Sequence, residues 1–161
     1  MISGLERPVK DSQVIMHEMI FPNDANILGN VHGGRVMHLM DMCAAMSALK
    51  HARTQVVTAS VDRLDFLLPA KVGDILILKS SVNYTGYSSM EVGIRIDSEN
   101  PKTGEKHHTA SAYLTFVSID DNGKPMRVGD IKPKSGIEKR RFNEGKIRHE
   151  ERKIRLRKKR K

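Results

Sequence analysis

Asp41 is the side chain whose surroundings most suggest chemistry. Between residues 36 and 49 the only other polar side chains are His38 and Ser47. The stretch 35–52 has no Gly or Pro and is rich in Met, Leu and Ala, which predicts a helix. A helix apolar all round is expected to be buried, and a carboxylate on it then needs partners or a raised pKa. Gly33-Gly34 opens the helix, so its first N–H groups lack partners within it and carry partial positive charge. Glycine there lets a carbonyl oxygen lie against the backbone. Asp41 follows Gly34 by seven residues, on the same helical face about two turns along. An oxyanion donor and a carboxylate beside one cleft suffice to attack an ester or thioester with water. A structural carboxylate capping a nearby loop fits the composition equally well.

Other reactive residues read more plainly. His32 and His38 fit packed or surface histidines, and the helix lacks the H-E-x-x-H spacing of a zinc site. No metal ligand set is expected. Cys43 has no charged neighbour in sequence and reads as a small buried thiol. Met37, Met40, Met42 and Met46 read as core filler. Gly86-Tyr87-Ser88-Ser89 does not fit G-x-S-x-G, and no phosphate-binding or dinucleotide fingerprint is present. Asn23, Asp24 and Asn26 by themselves look like turn formers.

The elements that must hold these residues follow from pattern. Residues 13–21 are apolar and β-rich and predict a first strand, ending at Pro22-Asn23. Four further β-like runs, at 55–66, 74–84, 88–97 and 107–119, are separated by Gly, Pro and Asn turns. Met90, Val92, Ile94 and Ile96 alternate with Glu91, Gly93 and Arg95, the mark of a half-buried strand. One helix and five long antiparallel strands suggest a sheet curled around a helix.

Composition narrows the class. The chain has 161 residues, one Cys, no Trp, 3 Tyr and 4 Phe. A disulfide framework within one chain is excluded, and the few aromatics argue against a stacking surface for single-stranded nucleic acid. No apolar run approaches the roughly 20 residues of a membrane span, and the first residues lack an apolar signal core, so a cytoplasmic protein is expected. The net charge of +9 lies wholly in residues 137–161, which hold 13 Lys/Arg and 4 Glu; residues 1–136 hold 15 of each sign. The reading divides the chain into a lead-in at 1–12, a body at 13–130 and a basic, helical extension at 131–161.

The strings Pro22-Asn23-Asp24-Ala25-Asn26, Gly29-Asn30-Val31-His32-Gly33-Gly34 and Met40-Asp41 together resemble the signature of hotdog-fold acyl-coenzyme A thioesterases. The likeness runs on through Val57-Thr58-Ala59-Ser60-Val61-Asp62, Asp65-Phe66, Val72-Gly73-Asp74, Ser88-Ser89-Met90-Glu91-Val92, Thr115-Phe116-Val117 and Gly123-Lys124-Pro125, covering roughly residues 13–128. It implies an α+β hotdog, a long antiparallel sheet wrapped around the 36–51 helix. Two protomers would share one sheet, three such dimers would make a hexamer, and each active site would lie between protomers. It implies Asp41 as general base on water, or as nucleophile, Asn26 orienting the water or the carbonyl, and the Gly34 N–H on the thioester oxygen. It also implies coenzyme A contacts along Ala59-Ser60-Val61 and Ser88-Ser89-Met90. Coenzyme A enters as part of substrate and product, and no separate cofactor is implied.

The stretch Glu151-Arg152-Lys153-Ile154-Arg155-Leu156 is similar to a basic helical extension of some family members. Arg152, Lys153 and Arg155 could clamp the coenzyme's phosphates. The alternative is a solvated, partly frayed helix with Glu144–Arg148 and Glu151–Arg155 as i,i+4 pairs. The expected activity is hydrolysis of acyl-CoA to a fatty acid and coenzyme A. The rivals are an acyl-thioester dehydratase or hydratase, and a non-enzymatic acyl-CoA sensor whose tail binds nucleic acid. The neutral body and the lack of a helix-turn-helix pattern speak against nucleic acid, and no membrane partner is expected.

Overall fold

A computed structural model describes residues 6–160. Its centre is a five-stranded antiparallel sheet. The strands are β2 (Val14–Met19), β3 (Gln55–Phe66), β4 (Ile75–Thr85), β5 (Ser89–Glu99) and β6 (Lys106–Ile119), in the order β2-β4-β5-β6-β3. Helix α1 (Gly33–Ala52) lies along one face. Val36, Leu39, Met40, Cys43, Ala44 and Ala48 of α1 join Leu76, Leu78, Val82, Met90, Val92, Ile96, Leu114 and Phe116 of the strands in one buried cluster. The small residues of α1 let helix and sheet approach closely. These elements are those expected of the hotdog fold. The lead-in belongs to the same body, because β1 (Arg7–Pro8) pairs in parallel with β7 (Ile131–Lys132), and Val9 and Ile131 are core residues.

Two expectations are corrected. The first concerns α1, which is not buried all round. Met37, Met42, Met46 and Leu49 are 36–45% exposed. One chain's sheet can cover only one side of the helix, and the other side is exposed, as are Val57 and Val61 of β3. Among the described residues β3 pairs only with β6, so its other edge is open along the strand.

The second concerns the basic extension. Its helix α2 (Gly136–Lys159) is neither frayed nor solvated on all sides. It starts at a capping box, in which Ser135 Oγ accepts from the Glu138 N–H and Glu138 accepts from the Ser135 N–H. The N–H groups of Lys134 and Ser135, both donating to the Glu138 carboxylate, hold it below its usual pKa. The helix then docks on the sheet face opposite α1. Arg148 donates Nε to Glu91 Oε2 at 2.9 Å and Nη2 to Oε1 at 2.7 Å, while its guanidinium lies 3.7 Å over the Tyr113 ring. Phe142 packs edge-on against Tyr84 at 5.1 Å. Gly145 lets the helix come down there, since a Cβ would sit 3.0 Å from both Glu91 Oε1 and Tyr84 Cβ. The expected pairs Glu144–Arg148 and Glu151–Arg155 do not form. Glu144 instead takes Arg140, Arg148 takes Glu91 and Arg155 takes Asp62 of β3 at 3.3 Å. Of the strand carboxylates Glu91 is buried and Asp62 part-buried, and both outcompete exposed helix partners, whose pairs contribute only a few tenths of a kcal/mol.

Candidate active site

The loop before α1 is held by backbone bonds of its own. Pro22–Asp24 forms one short 3-10 turn, and the Asp24 carbonyl receives the His32 N–H at 2.8 Å. Asp24 and Glu18 both bind Arg35, at 3.0 and 2.8 Å, which ties the loop to the first turn of α1. Within it the side-chain oxygen of Asn26 accepts the N–H of Leu28 at 2.9 Å and of Asn30 at 3.2 Å. Gly29 completes the turn at φ +77°, a left-handed conformation natural to glycine. Two N–H donors on one oxygen fix the orientation of the amide. The Asn26 NH2 therefore faces outward, with no hydrogen-bond partner among the described residues.

The start of α1 is also open. His32 is the N-cap, but its side chain caps nothing, and the first turn holds no acidic residue. The positive end of the helix dipole is thus left for a ligand. Around Gly34 there is space, with no atom within 4 Å of where a Cβ would stand. Asn26, Gly33, Val36, Phe66 and Thr109 border a common recess of about 370 Å³ whose walls are polar and apolar in about equal parts.

Asp41 is not part of that recess. It lies two turns along α1, about 10 Å in axial rise from Gly34. It is half-buried, and Thr58 Oγ1 of β3 donates to its Oδ1 at 2.7 Å. Its Oδ2 has no partner among the described residues and can accept a proton or a water. Within one chain, Asn26 and Gly34 meet at the helix start, whereas Asp41 meets Thr58 at the open β3 edge. Thr58 had not been singled out. Its only sequence signal is its place in the Val57–Ala59 string, because nothing local tells that its hydroxyl reaches a helix 17 residues earlier.

The expected coenzyme contacts divide. Ala59 and Val61 are exposed on the β3 edge, while Ser60 donates to Asp62 at 2.8 Å on the opposite face. Ser88 and Ser89 lie at the β4–β5 turn, near His149 of α2. Burial and the cations Arg152 and Lys153 push the His149 pKa down, favouring the neutral ring there. Met90 differs from its neighbours in the string: its side chain is wholly buried opposite Phe116 in the core. Arg152 is half-buried beside His149, Lys153 pairs with Glu150 at 3.7 Å, and Arg155 is the partner of Asp62. The described residues hold no cluster of three or more His, Cys, Asp or Glu able to bind a metal.

Residues 28–105 match the model of the thioesterase superfamily. An acyl-CoA thioester hydrolase of Bacillus subtilis, YkhA, is 40% identical over 148 residues, spanning 92% of this chain and 86% of that one. The chain belongs to the acyl-CoA thioester hydrolase family. The cytosolic acyl coenzyme A thioester hydrolase of mouse is 36% identical over 88% of this chain, which spans only 38% of that longer protein. A solved apo hexameric acyl-CoA thioesterase superposes with a TM-score of 0.90 at 42% identity, covering 94% of this chain and 97% of the other. The acyl-CoA hydrolase of Staphylococcus aureus, solved with butyryl coenzyme A, coenzyme A and coenzyme A disulfide, gives 0.90 at 38% identity over 97% and 95% of the two chains. Its structures with alanine replacing one Asn, an Asp 15 residues later, and a Thr 17 residues beyond that are also known. In this family member Asn26, Asp41 and Thr58 stand at the same spacing.

Proposed function

We propose that the protein hydrolyses acyl-CoA to a carboxylate and coenzyme A at sites shared between two protomers. Asp41 Oδ2 takes a proton from water as the water oxygen attacks the thioester carbonyl carbon. The carbonyl oxygen becomes an oxyanion against the Gly34 N–H and the free amide of Asn26. The tetrahedral intermediate collapses, the C–S bond breaks, and the coenzyme leaves as a thiolate that takes up the proton. Thr58 fixes Asp41 so that one oxygen is held and the other aims at water. The step calls on no metal or cofactor.

The observation that carries this reading is the pairing of two incomplete halves. One is a helix start with a free amide and no carboxylate, and the other is a carboxylate with a free oxygen beside an open strand edge. Pairing of β3 with its copy would extend the sheet across both chains and bury the exposed Met and Val residues of α1 and β3. Asp41 of one chain would then meet Asn26 and Gly34 of the other. A trimer of such dimers is the further assembly, supported by the hexameric structural relative. In this reading the acyl group enters the recess beside Asn26, and the coenzyme runs along Ala59–Val61 and Ser88–Ser89 toward Arg152 and Lys153. Among the described residues no helix is long and apolar enough to cross a membrane. The name of the mouse relative supports placing the protein in the cytoplasm.

Release of free thiol from saturated acyl-CoAs of graded length tests the reaction and separates it from hydration or dehydration, which leaves the thioester intact. Subunit exchange tests the shared site. Asn26→Ala and Asp41→Asn homodimers should both be inactive, and mixing should restore activity, since one of the two sites in each hybrid carries neither change. Verified hybrids that remain inactive would refute sharing.

A further inference from the structure

Thr109 borders the recess at the start of α1. It is 2% exposed, yet its hydroxyl has no hydrogen-bond partner. Hydroxyls buried without a partner are uncommon, because desolvation is uncompensated; a valine would fill the same volume without that cost. The position is built by a bulge. Ile96 pairs with Ala110 and Asp97 with His108, so Thr109 is the extra residue of β6, without a partner on β5. Its carbonyl accepts the N–H of Leu67 at 2.8 Å and of Leu68 at 3.4 Å, which folds the segment after β3 across it. The bulge places the residue on the wall of the recess shared by Asn26, Gly33, Val36 and Phe66. Three side chains of that wall can hydrogen-bond, those of Asn26, Asn30 and Thr109, and the Asn26 and Asn30 amides sit at the loop before α1.

We propose that Thr109 is a specificity-determining residue for the acyl group: its hydroxyl is the hydrogen-bond partner of an oxygen carried on a short acyl chain, so that the recess favours hydroxyacyl over plain alkanoyl coenzyme A. The inference rests on the acyl group entering this recess. A plain chain leaves the hydroxyl unpaired or needs a trapped water, whereas a chain bearing its own hydroxyl pairs with it. Sites that bond a substrate hydroxyl discriminate against the analogue lacking it.

The test compares kcat/KM for butyryl-CoA with that for 2-, 3- and 4-hydroxybutyryl-CoA, in the full-length protein and in Thr109→Val and Thr109→Ser. The ratio of two substrates on one enzyme cancels any general loss of folded protein. At least one hydroxybutyryl isomer should outperform butyryl in the unaltered protein. That advantage should fall about tenfold in Thr109→Val, the effect of one neutral hydrogen bond, and persist in Thr109→Ser. Ratios that stay within twofold for every isomer in Thr109→Val would overturn the proposal, and so would the lack of any favoured isomer in the unaltered protein. If no acyl-CoA released thiol, the hydrolase reading itself would fall, which is a different result.

Discussion

Asp41 and Glu91 are both carboxylates at the sheet, on opposite faces, and they are bound very differently. Glu91 is 5% exposed and its two oxygens take three donors, two from Arg148 and one from Asn83 at 3.2 Å. Asp41 takes one donor, from Thr58, and keeps an oxygen open at the strand edge. A carboxylate filled by charge-assisted bonds has nothing left for a water or a proton, whereas one held at a single oxygen is oriented yet free to react. The outer face uses its charge to seat a helix, and the inner face leaves its charge available. Sequence gives both as acidic residues in the same family-like strings, so their difference is made by their partners.

The largest effect expected to separate them is on turnover. Asp41→Asn should lower kcat by roughly 10²–10⁴, the loss typical of a general base, with the melting temperature little changed. Turnover near the unaltered level would remove Asp41 from the chemistry. The counterpart is Arg148→Met, which strands Glu91 beneath α2. Breaking a buried pair by removing one partner costs about 3–5 kcal/mol, so the melting temperature should drop on the order of 10 °C for a chain of this size. The folded fraction should keep its kcat. An unchanged melting temperature would show that α2 is not held by this pair.

Thr58→Val should cost less than loss of Asp41, about tenfold in kcat, since it frees the carboxylate without removing it; Thr58→Ser should restore most of it. Equal activity of Val and Ser variants would refute the orienting bond. Deleting α2 would uncover Glu91 as well as remove charge, so the phosphate clamp is better probed by Arg152→Ala with Lys153→Ala. KM for acyl-CoA should rise two- to threefold at low salt and less at high salt, with kcat unchanged. A KM indifferent to both substitutions and salt would eliminate the clamp.

The smallest effect concerns pH. His51 is buried at the end of α1, with Nε2 bound to the Gly129 carbonyl at 2.7 Å and Nδ1 unpartnered. Burial, with Arg7 adding to it, pushes its pKa below the usual imidazole value of about 6.5. The unfolded chain then binds the proton more tightly than the folded one. Stability from this residue is full above about pH 6.5 and declines as pH falls toward the lower, folded pKa. The drop in melting temperature between pH 7.5 and 5.5 should therefore be shallower in His51→Gln than in the unaltered protein. Parallel profiles would count against a neutral, buried His51.

Much of the fold was legible because periodicity is a local property. The helix at 35–52 and five strands were placed within a few residues of their observed bounds, and the alternation of Met90, Val92, Ile94 and Ile96 named the core face of β5. That alternation already set the Met90 side chain inside. Gly34 and Asp41 stood out by type and spacing, whereas Asn26 read as a turn former and entered only through the family resemblance. The solvent-facing stripe of α1 was not, since an apolar helix looks the same whether a sheet or a second copy of the chain covers it.

The sequence by itself determined which segments form helix and strand, where the positive charge lies, and which few residues could polarise a thioester. Tertiary structure decided what those residues are free to do. Thr58 reaches Asp41 across 17 positions, and Arg148 reaches Glu91 across 57. The first bond leaves a carboxylate poised and the second consumes one. Hydrogen bonds and ion pairs are set by separations of a few ångströms between elements, and strand order and helix docking fix those separations, so they leave no periodic trace along the chain.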